Sequence, residues 1–258
     1  MSASNSLKVL ILPFPEFDTL DVYAPIEVLG KGAAIGGVTI TFDIATASKK
    51  TLSAEKIPVV QDLSICEALQ QLEQYEIVIQ PGGAVSAIQK YLENPTQVGL
   101  DRESVDEHLQ LLLRFSQLET LSPRGCRRVL MSICTGALIA GLSGAFSNLT
   151  VTTHYSGLQQ LKEYCQRGGQ GTIVDPDIGE GGYVGYEAGQ LNSKRWVLAD
   201  RSGCAVRVIS SGGISCGLDA SLFLVSELEV WKDGHLENIG LEKAHQCARI
   251  MDYAWRWA

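Results

Sequence analysis

The sequence predicts a doubly wound α/β fold, a mostly parallel sheet with helices on both faces. Short β-branched apolar runs alternate with segments of helical period, the β-α-β succession that builds such a sheet. Most of these runs lack polar alternation, as strands buried on both faces do. Composition agrees: 45% of the 258 residues are hydrophobic, 26 are glycine and only 19% are charged, which excludes a disordered or coiled-coil chain. A chain of this length buries roughly 70% of its unfolded surface.

In chain order, the first strand is expected at 7–14, a near-continuous Leu, Val and Ile run that stops against Pro15. A helix follows at 23–29 and a β-branched strand at 38–47. The amphipathic segment 64–72 leads into a strand at 75–80, and helical period resumes at 85–92 and 104–118. The apolar run 128–133 is the fourth strand, with helices expected at 135–145 and 157–165. The last strand is expected at 206–210, with helices at 218–231 and 237–257. No Pro/Ser-rich linker, repeat or charge block divides the chain, so 1–258 reads as one domain. It carries a glycine-rich insertion near 168–189, where eight glycines surround Tyr183, Tyr186 and Glu187, and loops that long are usually functional or mobile.

A formal net charge of −8 repels phosphate backbones and anionic headgroups, so neither a nucleic acid nor a membrane partner is expected. Seven cysteines form no C-x-x-C pair and leave an odd one out, which fits a reducing compartment rather than a disulfide framework. The N-terminus lacks a basic start and cleavage site, and no apolar run reaches about 18 residues. A cytoplasmic protein is the expectation.

Ligands of open α/β sheets bind beyond the carboxyl ends of the strands. Four junctions there carry chemistry: Pro15 to Asp21, Pro81-Gly82-Gly83, Cys134-Thr135-Gly136, and Gly212 to Gly217. In Ser132-Ile133-Cys134-Thr135-Gly136 a buried strand ends abruptly before a small-residue helix, the layout of a nucleophile elbow. A helix N-terminus there favours thiolate, although a buried structural cysteine has the same sequence appearance. Cys216 is the rival, since it too follows a strand and precedes a helix. Gly82 and Gly83 can bring bare N–H groups against a substrate or simply turn the chain. Glu16, Asp18 and Asp21 follow the first strand, and a carboxyl there can hydrogen-bond a thiol or handle a proton if burial raises its pKa, whereas Asp21 can equally cap the helix that follows. His154 lies 20 residues past Cys134, the length of a helix plus a strand, which can return it to the same sheet edge or leave it solvated. His108, His235 and His245 have no ligand pairing, so no metal site is expected, and neither G-x-x-x-x-G-K-[ST] nor G-x-G-x-x-G occurs at the glycine turns.

Taken together, Phe14-Pro15-Glu16-Phe17-Asp18-Thr19-Leu20-Asp21 with Ala24-Pro25-Ile26-Glu27-Val28, Pro81-Gly82-Gly83, Ser132-Ile133-Cys134-Thr135-Gly136-Ala137 with Thr152-Thr153-His154-Tyr155, and Ser211-Gly212-Gly213-Ile214-Ser215-Cys216-Gly217-Leu218-Asp219 resemble the ThiJ/PfpI superfamily, the cysteine-centred branch of the class I glutamine amidotransferase-like fold. The resemblance spans about 7–228. Proteases and glyoxalases of that superfamily carry histidine directly after the cysteine, where this chain has Thr135, and its deglycases carry glutamate at the position matching Asp21. Aspartate paired with Cys-Thr-Gly is similar to the isonitrile hydratases, which add water to an isocyanide to give an N-substituted formamide, and to the sensor domain of certain AraC-type regulators.

The resemblance implies Cys134 as nucleophile and Asp21 as its proton-handling partner. It implies a pocket lined by Gly82, Gly83, Thr135 and His154, with backbone N–H groups of Gly83 and Thr135 facing the substrate. Gly213, Cys216 and Leu218 would support that pocket from behind. No metal or organic cofactor is implied, and the partners would be a small electrophilic substrate and a second copy of the chain in a homodimer. Two alternatives remain: a glyoxalase or deglycase using Cys134 and His154, and a redox or ligand sensor in which Cys134 is oxidised beside Asp21.

Overall fold

A computed structural model describes residues 5–168, 195–199, 206–232 and 235–255. The glycine-rich insertion beyond Gly168, with its two tyrosines, and Cys204 lie outside the described residues.

In chain order the elements are β1 (Ser6–Ile11), α1 (Thr19–Gly36), β2 (Thr39–Thr46), β3 (Lys50–Leu52), β4 (Pro58–Val60), β5 (Leu63–Ser64) and α2 (Ile65–Gln70). Then come β6 (Ile77–Gln80), α3 (Val85–Glu93), α4 (Arg102–Ser116), β7 (Val129–Ser132), α5 (Gly136–Leu142) and α6 (Leu158–Gly168). The chain closes with β8 (Trp196–Ala199), β9 (Arg207–Ser211), α7 (Cys216–Glu227), β10 (Glu229–Lys232), β11 (His235–Asn238) and α8 (Leu241–Ile250).

Seven strands make one sheet in the order β5-β2-β1-β6-β7-β9-β8, parallel throughout except for β8 against β9. The expected doubly wound α/β architecture is present, with α1, α7 and α8 packed together and α2 to α6 forming a second set. Strands β6 and β7 are buried at every position, which is why their sequences show no alternation. From β1 the chain moves outward to β2 and β5, then returns to the other side of β1 as β6. That reversal leaves a crevice beyond the ends of β1 and β6, the position where such sheets hold ligands.

The chain departs from its sequence pattern in several places, the first being the short strands β3, β4, β5 and β8, none of which was expected. The segments expected as helices at 218–231 and 237–257 are interrupted by the β10–β11 hairpin, in which Trp231 pairs with Leu236. The Asn5 side chain accepts from the Trp231 N–H at 2.8 Å and donates to its carbonyl at 3.1 Å, so long-range bonding overrides helical period there. Helix α1 begins four residues ahead of the expected 23–29 and runs through Pro25, with Asp18 at the N-cap position and no capping hydrogen bond from its side chain. Finally, Thr152 to His154 form no strand but an irregular segment held by side chains.

Candidate active site

The loop from β1 to α1 is held from two sides. On one side, Glu16 N–H donates to the Leu52 carbonyl (2.9 Å) and Ala54 N–H to the Phe17 carbonyl (2.9 Å), tying the loop to the β3–β4 hairpin. On the other, Asp18 N–H donates to the Gly82 carbonyl at 2.8 Å, tying it to the turn after β6. This places Asp21, in the first turn of α1, against that turn. Asp21 is 1% exposed, and its Oδ2 accepts the Gly82 N–H at 3.0 Å. Its Oδ1 is buried with no hydrogen-bond partner among the described residues. The capping alternative for Asp21 is removed, because the N-cap is Asp18 and Asp21 is inside the helix.

Cys134 follows β7 with φ = 53°, a left-handed conformation that costs a non-glycine residue on the order of 1 kcal/mol or more. The turn is locked from several directions: Cys134 N–H donates to the Gly212 carbonyl (3.0 Å), and the Thr153 hydroxyl donates to the Cys134 carbonyl (2.9 Å). Thr135 clamps the turn after β6, since its hydroxyl accepts the Gly83 N–H at 2.9 Å and donates to the Gly83 carbonyl. Two glycines make this approach possible. A Cβ on Gly82 would stand 2.7 Å from the Thr135 and Gly136 nitrogens, and one on Gly136 would stand 2.3 Å from the Gln80 carbonyl oxygen.

The result is a cluster in which Asp18, Asp21 and Cys134 each present one ligand-type atom within 4.8 Å of the others. These three groups could hold a cation between them, and Cys134 is far enough from the two aspartates in sequence that spacing gave no sign of it. Among the described residues no lysine, arginine or histidine forms an ion pair with either carboxylate. Burial, reinforced by the Asp18 and Glu55 charges and opposed by the Gly82 N–H, pushes the Asp21 carboxyl from 3.8 up to about 8. Burial also raises Asp18, with Glu55 adding to it. The Cys134 thiol is pushed upward by burial and then by the Asp21 charge, against the Thr135 N–H and hydroxyl, which favour the thiolate. The expectation that the helix start alone would lower this thiol is therefore corrected: desolvation wins.

Beside the elbow lies a cavity of about 300 Å³ lined by Leu20, His154, Tyr155, Gly213, Ile214, Ser215 and Cys216. Its lining residues adjoin the pieces that hold the site: Leu20 precedes Asp21, His154 follows Thr153, and Gly213 follows Gly212. The volume is at the small end for sites that enclose a ligand.

No protein-family model and no curated protein sequence matches the chain. Solved structures do. A ThiJ/PfpI family protein from Pseudomonas syringae superposes with a TM-score of 0.61 at 17% identity, covering 97% of this chain and 76% of that one. An AraC family transcriptional regulator from Pseudomonas putida gives 0.61 at 15% identity, covering 95% and 99%. DJ-1beta of Drosophila melanogaster gives 0.57 at 15% identity, covering 97% and 100%. The chain has the ThiJ/PfpI and DJ-1 fold.

Within this ThiJ/PfpI-like fold, Cys134, Asp21, Gly82, Gly83 and Thr135 stand together, but of Gly82, Gly83, Thr135 and His154, expected to line the pocket, only His154 is on the wall of the cavity beside the elbow. Gly82 N–H is committed to Asp21, Gly83 N–H to Thr135, Cys134 N–H to Gly212, and Gly136 N–H to Ile133 (2.9 Å). The expected pair of substrate-facing N–H groups is thus corrected in one member: the Gly83 N–H is used within the turn, whereas the Thr135 N–H faces the Cys134 sulfur. His154 reaches the pocket without the expected strand. Its Nδ1 lies 2.8 Å from the Ser156 hydroxyl, its ring packs 4.2 Å from that of Tyr155, and burial lowers its pKa. Gly213 lets that ring approach, since a Cβ there would stand 2.7 Å from His154 Cδ2. Cys216 lines the cavity at the start of α7, next to Ser215, whose hydroxyl accepts from Arg195 at 2.7 Å. Leu218 is a packing residue, partly buried against the core. Gln80 and Tyr91 escaped sequence reasoning, and His108 was weighed there only as a metal ligand; Asp18, one of the three carboxyls that follow the first strand, is the one that joins Asp21 at the site. Of these, His108 carried a usable signal, since it shares an apolar helix face with Leu111, Leu112 and Phe115.

Proposed function

We propose that Cys134 and Asp21 form a metal- and cofactor-independent hydratase centre of the isonitrile hydratase type, converting an isocyanide and water to an N-substituted formamide. The observation that carries this is the buried Asp21 carboxyl beside Cys134, pushed up to about 8 and so holding a proton at neutral pH. An isocyanide carbon needs that proton. The thiol sulfur bonds the carbon while Asp21 gives its proton to the same carbon and takes the thiol proton, leaving a thioimidate. Water then adds to the thioimidate carbon, and expulsion of the sulfur as a thiol releases the formamide with Asp21 again protonated.

The commitment of the Gly82, Gly83, Cys134 and Gly136 donors, which leaves the Thr135 N–H alone at the sulfur, supports this reading over acyl transfer. Hydrolysis through a tetrahedral oxyanion wants N–H groups aimed at the developing oxygen, whereas the first step on an isocyanide develops no oxyanion. Thr135 adds to the contrast, because its hydroxyl is engaged with Gly83 and leaves the proton transfer to Asp21. The deciding experiment assays the purified wild type and Cys134→Ala on a panel of isocyanides and α-oxoaldehydes, with mass spectrometry of the protein. Formamide production lost in Cys134→Ala is expected. Conversion of α-oxoaldehydes without isocyanide turnover would overturn the reading in favour of glyoxalase or deglycase chemistry.

A further inference from the structure

Three polar side chains that the chemistry above does not use are buried together behind the glycine turn. Tyr91 on α3, His108 on α4 and Gln80 at the end of β6 are each 1% exposed or less. The Tyr91 hydroxyl lies 2.7 Å from His108 Nδ1, and His108 Nε2 lies 2.7 Å from Gln80 Oε1. The Gln80 amide nitrogen donates to the carbonyls of Pro81 (2.9 Å) and Leu12 (3.3 Å). With that nitrogen committed as donor, Oε1 must accept. His108 therefore carries its proton on Nε2, and Nδ1 accepts from Tyr91. Burial keeps the imidazole neutral, with its pKa pushed down to about 3.

The Pro81 carbonyl and the Gly82 N–H belong to one trans peptide plane, so they point in opposite directions. Gln80 holds the oxygen end of that plane, and the nitrogen end donates to Asp21 Oδ2 at 3.0 Å. Every donor in the series points the same way, from Tyr91 to His108 to Gln80, through the peptide, to Asp21. Hydrogen bonds aligned head to tail polarise one another, and a low-dielectric interior amplifies the effect. A core that needed only volume there would be filled by apolar side chains without the cost of burying polar groups.

We propose that Tyr91, His108 and Gln80 are positioning residues that strengthen the Gly82 N–H as a donor and so stabilise the ionised Asp21 carboxylate. Around Asp21 two carboxylates oppose its charge, Asp18 from the same loop and Glu55 from the β3–β4 hairpin, and Asp21 in turn opposes ionisation of the Cys134 thiol. The Gly82 N–H is the group that favours it. At the far end of the series, Arg102 is the charged group acting on Tyr91. Through this series the scaffold sets the pH at which Asp21 gives up its proton. The inference rests on Asp21 being the proton-handling partner of Cys134, but it is read from titration of the site and not from turnover.

The test is the rate of Cys134 alkylation by iodoacetamide against pH, resolved by peptide mass spectrometry on the full chain. The wild type should show a step where Asp21 ionises and suppresses the neighbouring thiolate, and Asp21→Asn should lack it. Tyr91→Phe keeps the ring and removes only the first donor, so the step should move up by roughly 0.1 to 0.5 of a pH unit. Gln80→Met releases the peptide plane, and a shift of about one unit is expected. If Gln80→Met does not fold, Tyr91→Phe decides. A merely structural network would lower thermal stability and leave the step in place. Folded variants with the wild-type step, or a wild type with no step that Asp21→Asn removes, would overturn the proposal. Shifted steps in a protein that turns over no isocyanide would refute the hydratase reading and leave this one standing.

Discussion

Replacing Asp21 by Asn separates what the site needs for chemistry from what the fold would prefer. Asn keeps an acceptor for the Gly82 N–H and nearly the same shape, but it has no charge to bury and no proton to exchange. The folded chain holds the Asp21 proton up to about pH 8, whereas the unfolded chain releases it near 3.8. Between those values the folded state binds the extra proton, so wild-type stability falls as pH rises from about 4 to about 8 and is insensitive to this group outside that window. The gap of about four pH units corresponds to at most about 6 kcal/mol, and an effective interior dielectric near 20 trims it. Asp21→Asn should therefore gain stability on the wild type by at least about 1 kcal/mol between pH 5 and pH 8. Urea unfolding of both proteins across that range measures it, with m-values checked for equality. Turnover should fall by roughly 10²-fold or more, the size of general acid–base catalysis. An Asn variant that follows the wild-type pH slope, or one that keeps wild-type turnover, would refute the reasoning.

Cys134→Ala should abolish isocyanide hydration and Cys216→Ser should retain it; the reverse pattern, read in the same assay, would move the nucleophile to the cavity wall. Gly136→Ala places a Cβ 2.3 Å from the Gln80 carbonyl, so it should lower the melting temperature by an amount equivalent to about 2 kcal/mol or more, checked by calorimetry. Chelation should leave turnover intact. Activity lost to a chelator and restored by zinc would instead assign catalysis to a cation held by Asp18, Asp21 and Cys134.

Much of this architecture is legible in sequence because the strands that matter are apolar throughout. The runs at 77–80 and 129–132 have no face to show to water, and a pattern without alternation can only be a strand buried on both sides or a helix too short to stand alone. The elbow was legible for a related reason: Cys134 stands between such a strand and a helix of small residues. What sequence could not show is how the donors are spent. Gly82 and Gly83 read as bare N–H groups because nothing local claims them. The residues that do claim them, Asp21 and Thr135, are 61 and 52 positions away. The C-terminal hairpin was hidden in the same way, since its pairing is fixed by Asn5 from the other end of the chain.

The distribution of hydrogen bonds at the site explains why a carboxylate can serve as an acid here. A buried carboxyl with both oxygens paired to N–H groups would ionise below the ordinary carboxylate range. Asp21 has one oxygen paired and the other unpartnered, in a neighbourhood of two more carboxylates. One donor is enough to fix the orientation of the group, and too few to overcome desolvation. The next N–H along the turn, from Gly83, is spent on the Thr135 hydroxyl. With one donor against burial and the charges of Asp18 and Glu55, the proton stays on Asp21 at neutral pH, where the proposed mechanism needs it.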